Sequence, residues 1–313
     1  MSEQKYGPWT EIYRPQTIDE CILTKDLKKK LKNFAKNPET MPNLLLAGKS
    51  GVGKTTSAKA LMNEINADYI IINASKDRNI DTLRTKMADF ASVVSFSGGR
   101  KFIILDESDY LNAQSTQPAL RNFIEEYATN CGFILTCNFE NKLLEAVRGR
   151  CSKIDFTIPK SAYKEMISDA YKRFSEILTK ENVTFDKNAL IQHIVNFYPD
   201  LRKALNELQS YSNINNTIDT GILAISSGKE IDNLIEILKN KNFTEMRKWV
   251  AENDLDMTFL VETLYRKGAK AFGNEKLPYL ILHLANYDYK NSFVTNREVN
   301  IVALLTEIMR DCV

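Results

Sequence analysis

The chain has 313 residues, of which 43% are hydrophobic and 26% charged, and its formal net charge at pH 7 is +2. The length and composition are typical of a soluble protein of two or three domains. The small charge excludes a global basic field, so if a nucleic acid is a partner, a local patch must meet its phosphates. No apolar run approaches the roughly 18 residues of a membrane span, and five scattered cysteines without a CxxC pair argue against a disulfide framework or zinc site and favour a reducing cytoplasm.

The first predicted helix covers residues 24–36, where Leu27, Leu31 and Phe34 recur at helical spacing. From residue 43 onward, short apolar runs alternate with helical stretches. The predicted strands are 43–47, 69–72, 101–105 and 133–137, with 154–158 as a candidate fifth, and the intervening helices lie near 54–66, 81–94, 115–128 and 140–149. Because each run is apolar throughout and a helix follows it, we predict an α/β fold with a parallel sheet covered on both faces.

Beyond Pro159 the strand pattern ends. Residues 161–178, 186–197 and 200–212 have helical patterns, and the chain is again helical from about residue 230 to its end. We therefore predict three domains: an α/β domain at 1–158, a small helical domain at 159–228 and a second helical domain at 229–313.

A phosphate-binding loop is the clearest motif. The run from Gly48 to Thr55 fits GxxxxGK[ST] and lies between a predicted buried strand and a helix. Glycines let backbone N–H groups surround phosphate oxygens, and the helix N-terminus adds its positive end. We expect Lys54 to reach the β- and γ-phosphates of ATP and the Thr55 hydroxyl to bind Mg²⁺. The predicted cradle comprises Gly48, Lys49, Ser50, Gly51, Val52, Gly53, Lys54, Thr55 and Thr56.

Polar residues follow two further predicted strands. Asp106 and Glu107 end the third strand, at the edge where ligands bind in such sheets. We expect Asp106 to hold Mg²⁺ and Glu107 to orient or deprotonate the attacking water. Asn138 follows the fourth strand, and two interpretations stay open for it: a contact to the γ-phosphate or water, and a turn-forming asparagine.

In their order and spacing, these motifs resemble those of the AAA+ sliding-clamp loaders, the replication-factor-C-like ATPases, with the bacteriophage members as the nearest likeness. The resemblance covers essentially the whole chain. Besides the phosphate loop (Walker A) and Asp106-Glu107 (Walker B), it rests on the N-terminal run at 9–15, Asn138 as sensor 1, Arg150 at the family's Ser-Arg-Cys motif and the run at 200–203 as sensor 2. It implies that Tyr13, Arg14 and Pro15 lie beside the adenine.

The resemblance implies roles for two arginines. Arg150 is implied to be an arginine finger that completes a neighbouring subunit's ATP site in trans, and Arg202 to reach its own γ-phosphate from a helical lid. From the residues alone, Arg150 is interpreted as a surface arginine and Arg202 as a helix arginine paired with a carboxylate such as Glu207. The sequence departs from the family pattern at Gly149, where serine is usual, and at Pro199, where glycine is common.

The resemblance also implies contacts outside the ATP site. The residues expected to follow DNA phosphates are Arg78, Arg84, the backbone near Ile80 and, as a lesser candidate, Arg148. Gln117 and Arg121 are implied to relay DNA binding to the ATP site. Val93, Val94 and Phe96 are candidates for a contact with the clamp, with core packing as the alternative for the valines.

The implied protein is an AAA+ ATPase with a lid at 159–228 and an oligomerising collar at 229–313. With ATP and Mg²⁺ as cofactors, it would open a ring-shaped sliding clamp and load it onto primer–template DNA during replication, within a hetero-oligomer in the cytoplasm (of a host cell, if the protein is of phage origin). Two alternatives stay open: another DNA-associated AAA+ machine, such as a helicase loader or branch-migration motor, and a structural subunit that does not hydrolyse ATP. Intact Lys54, Thr55, Asp106 and Glu107 favour hydrolysis over the latter.

Overall fold

The structure is a computed structural model, and it describes residues 7–76, 80–93, 99–226, 229–253 and 257–313. The chain divides into two compact units, Met1–Ile222 and Leu223–Val313. The first unit contains a five-stranded sheet with its helices and a small helical region, and the second is helical. The finer division at 158/159 within the first unit, and the boundary at 228/229, stay predictions.

The sheet of the first unit is parallel throughout. Its strands are β1 Leu44–Ala47, β2 Tyr69–Asn73, β3 Lys101–Asp106, β4 Cys131–Cys137 and β5 Ser152–Asp155. They lie in the order β2-β3-β4-β1-β5, so β4 is hydrogen-bonded to both β1 and β3. Parallel strands end at one edge of a sheet. The segments that follow β1, β3 and β4 therefore meet there, with the β4 segment in the middle.

Apolar side chains cover both faces of this sheet, as predicted. Successive strand residues point to opposite faces. Leu45, Ile103 and Leu135 belong to one apolar cluster, and Leu44, Ile104 and Ile134, which neighbour them in sequence, belong to a second. The helices of this part are α1 Trp9–Ile12, α2 Lys25–Lys36, α3 Lys54–Glu64, α4 Ile80–Ser92, α5 Thr116–Glu126 and α6 Glu145–Arg148.

The structure corrects three predicted elements here. β2 is an edge strand in which only Ile72 is fully buried and Ile71 is 39% exposed, because a strand at the edge has fewer neighbours to cover it. The fifth strand is β5 at 152–155, also at an edge, rather than 154–158. The helix predicted near 140–149 is a 3₁₀ turn, Glu140–Lys142, followed by the four-residue α6.

The small helical region that follows contains α7 Tyr163–Lys180, α8 Lys187–Phe197 and α9 Leu201–Asn215, and α10 Gly221–Ser226 crosses the boundary between the two units. Aspartates cap two of these helices: Asp186 accepts from Ala189 N at 2.7 Å and Asp200 from Lys203 N at 3.0 Å. The sequence pattern predicted no strands here, which is wrong, because β6 Thr184–Phe185 and β7 Thr217–Ile218 form a parallel pair. Two residues are too short a run to show a periodicity.

The N-terminal element is attached to this helical region. The backbone N–H of Trp9 donates to Gln209 Oε1 at 2.8 Å, and the Tyr13 hydroxyl donates to the Glu181 carboxylate. Burial, followed by that hydrogen bond, raises the pKa of Tyr13 to about 12. These contacts fix residues 9–13 against α7 and α9, and so define one wall of the cleft described below.

Apart from the end of α10, the described part of the second unit contains the helices α11 Lys229–Lys239, α12 Phe243–Glu252, α13 Met257–Phe272, α14 Leu277–Asn291 and α15 Arg297–Asp311. They enclose one apolar core that includes Leu238, Trp249, Leu264, Leu284 and Leu304. Across both units, none of the helices in the described ranges has the length and apolar character that a membrane span requires.

Candidate nucleotide-binding site

The phosphate loop bends where its glycines adopt conformations that other residues rarely take. Gly51 has a φ of +74° and Gly53, the N-cap of α3, a φ of +95°. At the start of the loop, Gly48 N donates to Cys137 O at 3.2 Å, which ties the loop to the end of β4. The loop therefore turns sharply between β1 and α3 and lines a polar cleft. Successive backbone N–H groups in such a turn suit an anion.

Lys54 lies at the centre of the loop and is only 8% exposed. Its Nζ donates to Gly48 O and Lys49 O, both at 2.7 Å, and to Asn138 Oδ1 at 2.8 Å. Burial lowers the pKa of this ammonium, and the nearby Asp106 and Asp109 carboxylates oppose that shift. The charge is thus held among carbonyl oxygens, which phosphate oxygens can replace as acceptors.

The predicted metal ligands are in contact. Thr55 Oγ1 donates to Asp106 Oδ1 at 2.6 Å, and Thr136 Oγ1 donates to the same oxygen at 2.7 Å. The backbone N–H of Glu107 donates to Thr136 Oγ1 at 3.0 Å, and Glu107 has a left-handed φ of +58°. A hydroxyl and a carboxylate at hydrogen-bond distance are the oxygen donors that Mg²⁺ takes in such sites.

Asn138 faces the loop. Its side-chain oxygen accepts from Lys54, and the buried Asp109 holds its backbone, since Asp109 Oδ2 accepts from Asn138 N at 3.3 Å and from Phe139 N at 3.2 Å. Sequence reasoning did not find Asp109 or Thr136. The sequence did contain indications of both. Thr136 is a polar residue within an otherwise apolar strand, and Asp109 follows closely on Asp106-Glu107.

Two adjoining clefts meet at this edge of the sheet. One is lined by Tyr13, Arg14 and Pro15 together with apolar side chains of α7 and α9. The other is lined by the phosphate loop, Asp106, Glu107 and Asn138. Both are bordered by Gly51, Gly53, Thr56 and Arg202. A mostly apolar space that opens into a polar one suits a base and ribose followed by phosphates.

The lid helix α9 approaches the phosphate loop directly. Arg202 is in its first turn and lines both clefts, and in the described part of the chain it forms no ion pair with Glu207. A Cβ added at Gly51 would lie 2.1 Å from Asp200 Oδ1, so glycine permits this close approach. The structure thus brings Arg202 to the same space as Lys54 and Asp106.

Arg150 lies outside both clefts of its own chain. Its Nε donates to Glu125 Oε1 at 2.8 Å, its Nη2 donates to the same oxygen, and its Nη1 donates to Ala146 O at 2.6 Å. Gly149 is the C-cap of α6 with an ordinary helical φ of −64°, and a Cβ there would lie 3.3 Å from Glu145 O.

Gln117 is fully buried at the start of α5. Its Nε2 donates to Leu111 O and Lys142 O, each at 3.0 Å, and its Oε1 accepts from Leu144 N at 2.7 Å. It therefore links the segment after Asp106-Glu107 with the segment that leads to α6. Arg121, on the same helix, is exposed.

The predicted DNA and clamp contacts are only partly described. Arg84 is exposed on α4, Ile80 is the first residue of that helix and Arg148 is partly buried in α6. Val93 is 56% exposed, so core packing does not hold for this valine. Three predicted residues lie outside the described ranges: Arg78, Val94 and Phe96.

Comparison with known sequences identifies the family. Residues 44–159 match the ATPase family associated with various cellular activities (AAA), and residues 160–224 match the AAA+ ATPase lid domain of the sliding-clamp-loader large subunit. The sliding-clamp-loader large subunit of Enterobacteria phage T4 is 36% identical over 264 residues, which cover 82% of each chain. This chain belongs to the AAA+ sliding-clamp-loader family.

Other members of the family are similar over nearly the whole chain. The sliding-clamp-loader large subunit of Escherichia phage RB69 is 31% identical over 95% of this chain and 93% of its own, and the replication factor C small subunit of Methanococcus vannielii is 30% identical over 96% and 98%. A solved RuvB structure from Thermotoga maritima shares the fold, with a TM-score of 0.55 at 17% identity over 81% of this chain and 85% of its own. The chain is accordingly an ATP-binding AAA+ ATPase, and its family acts in ATP-driven loading of sliding clamps in DNA replication.

Proposed function

We propose that this clamp-loader-family chain is an ATP-hydrolysing subunit of a hetero-oligomer that opens a ring-shaped clamp and loads it onto primer–template DNA. The observation that supports this most is the convergence of two hydrogen-bonded pairs at one sheet edge: Lys54 with Asn138, and Thr55 with Asp106. Glu107 follows Asp106 and lines the same cleft. We place this activity in the cytoplasm, where free cysteines such as those of this chain persist.

The site supports an in-line attack of water on the γ-phosphorus of ATP. Glu107 takes the proton of the attacking water as the new P–O bond forms, the bond from the γ-phosphorus to the β–γ bridging oxygen breaks, and ADP leaves with that electron pair. Lys54 holds the β- and γ-phosphate oxygens in place of its present carbonyl acceptors. Mg²⁺ bound by Thr55 and Asp106 would neutralise charge on these phosphates. Asn138, anchored through Asp109, positions the water or a γ-oxygen.

The two arginines add charge from opposite sides in this proposal. Arg202 binds the γ-phosphate from α9 of the same chain, so the lid distinguishes ATP from ADP. Arg150 binds the γ-phosphate of a neighbouring subunit, because it lies outside the clefts of its own chain. A guanidinium is always charged and offers planar donors, which suits charge spread over three phosphate oxygens.

We propose that DNA phosphates contact Arg84 and the N-terminus of α4 near Ile80, with Arg78 and Arg148 as further contacts. Such binding is independent of sequence and weakens with salt. Gln117 and Arg121 transmit this contact along α5. The buried side chain of Gln117 supports this role because it binds both the segment that follows Asp106-Glu107 and the segment that leads to α6.

The test is steady-state ATPase activity of the reconstituted oligomer with and without clamp and primed DNA, together with the mass of the oligomer. Arg150→Ala should abolish the DNA-stimulated part while the isolated subunit still binds ATP. Unchanged stimulation would exclude Arg150 as a finger. Absence of phosphate release under all conditions would favour the structural subunit, and stimulation by DNA that is indifferent to the clamp would favour another DNA-associated AAA+ machine.

A further inference from the structure

We propose that Glu125 is a positioning residue that orients the guanidinium of Arg150 for a neighbouring subunit's ATP. The inference rests on the finger role proposed above, and it concerns a residue that no sequence motif singled out. Glu125 is in the last turn of α5, far along the chain from Arg150, and the fold brings the two side chains together.

The contact engages one side of the guanidinium. A single carboxylate oxygen of Glu125 accepts from both Nε and Nη2 of Arg150, and the carbonyl oxygen of Ala146 accepts from Nη1 at 2.6 Å. A guanidinium has five N–H groups. Three are therefore used within the chain, and one on each terminal nitrogen has no acceptor among the described residues. Those two N–H groups are available to donate hydrogen bonds to a phosphate of another subunit.

Helix α5 makes this positioning rigid because both of its ends are attached to the segment between β4 and β5. At its start, Gln117 binds Lys142 O and Leu144 N through its buried amide. At its end, Glu125 binds Arg150. The orientation of Arg150 is thereby fixed relative to the same helix that follows the Asp106-Glu107 segment of its own ATP site.

Folding stability does not explain the pair. The side chain of Glu125 is 52% exposed and that of Arg150 is 29% exposed, and ion pairs in such positions contribute little to stability. The hydrogen bond from Arg150 lowers the pKa of the Glu125 carboxyl, and Arg121 adds to that shift. The carboxylate therefore stays charged at neutral pH and remains an acceptor for Arg150.

The experiment compares Glu125→Ala and Glu125→Gln in the reconstituted oligomer with clamp and primed DNA. The Ala variant should lower kcat for ATP about tenfold with KM unchanged, because a misdirected finger affects the transition state rather than ATP binding. Gln keeps a carbonyl oxygen for Nε and Nη2 and should restore most of the rate. Glu126→Ala, which removes the adjacent carboxylate on the same helix, is the matched control and should behave as wild type.

Thermal denaturation and ATP binding of each isolated variant establish that it is folded. Combining Glu125→Ala with Arg150→Ala should be no slower than Arg150→Ala alone, because both act through one guanidinium. A normal or raised kcat for Glu125→Ala, while Arg150→Ala is impaired, would overturn the positioning role alone. A raised rate would instead identify Glu125 as a restraint on the finger. An unimpaired Arg150→Ala would overturn the finger role and this inference with it.

Discussion

Replacing Gly51 by alanine should separate the phosphate loop from the lid helix α9. Two costs add in this substitution. The φ of +74° is a left-handed conformation, which costs a residue with a Cβ about 1–2 kcal/mol. The new Cβ would also lie 2.1 Å from Asp200 Oδ1, 2.4 Å from its Cγ and 2.9 Å from its Cα. Asp200 must therefore move, and loss of its N-cap bond to Lys203 costs about 1 kcal/mol.

The expected loss is about 2–3 kcal/mol in the free energy of unfolding of the first unit. For a unit of this size, that corresponds to a fall in melting temperature of about 5–10 °C. Differential scanning calorimetry without nucleotide measures it. ATP affinity should fall as well, because Arg202 lies in the turn that Asp200 caps.

Gly53→Ala is the matched control. Gly53 also has a positive φ, +95°, but a Cβ there meets no described atom within 4 Å. It should show the backbone cost alone and be about 1 kcal/mol less destabilising than Gly51→Ala. In an Asp200→Gly background the difference in stability between the Gly51→Ala and Gly53→Ala variants should shrink, since Oδ1 and Cγ of Asp200 are absent. Equal losses for the two alanine variants would refute the contact between loop and lid.

Three further predictions concern the proposed ATP site and its wall. Lys54→Ala should weaken ATP binding at least about 100-fold in isothermal titration calorimetry, because charge-assisted bonds to two phosphates are lost; retained micromolar affinity would refute the role of Lys54. Glu107→Gln should still bind ATP but release phosphate about 10²–10⁴-fold more slowly, and normal turnover would remove Glu107 from the chemistry. The fold raises the pKa of Tyr13 from 10.0 to about 12, so its contribution to stability is complete below pH 10 and is lost as pH rises towards 12. Between pH 10 and 12 the free energy of unfolding, measured by urea denaturation, should therefore fall more for wild type than for Tyr13→Phe. An identical dependence on pH for the two proteins would contradict the Tyr13–Glu181 contact.

The strands and helices around the ATP site were predictable because their signals are local. An apolar strand, a glycine-rich turn and a helix start are contiguous between residues 44 and 64, and β3 ends directly in Asp106-Glu107. The errors came where burial depends on neighbours distant in the chain. Ile71 has the same apolar neighbours in sequence as a buried strand residue, yet it is 39% exposed because β2 is at the edge of the sheet.

The sequence by itself determined the phosphate loop and the acidic pair, since each consists of residues adjacent in the chain. It also determined the family, through the order and spacing of motifs between residues 9 and 203. Only the tertiary structure placed β4 between β1 and β3, which puts Asn138 against Lys54 and Thr136 against Asp106. It alone brought Asp200 to Gly51 and Glu125 to Arg150. These contacts depend on strand order and on how each helix is rotated over the sheet, quantities that packing of the whole unit sets and that no local pattern specifies.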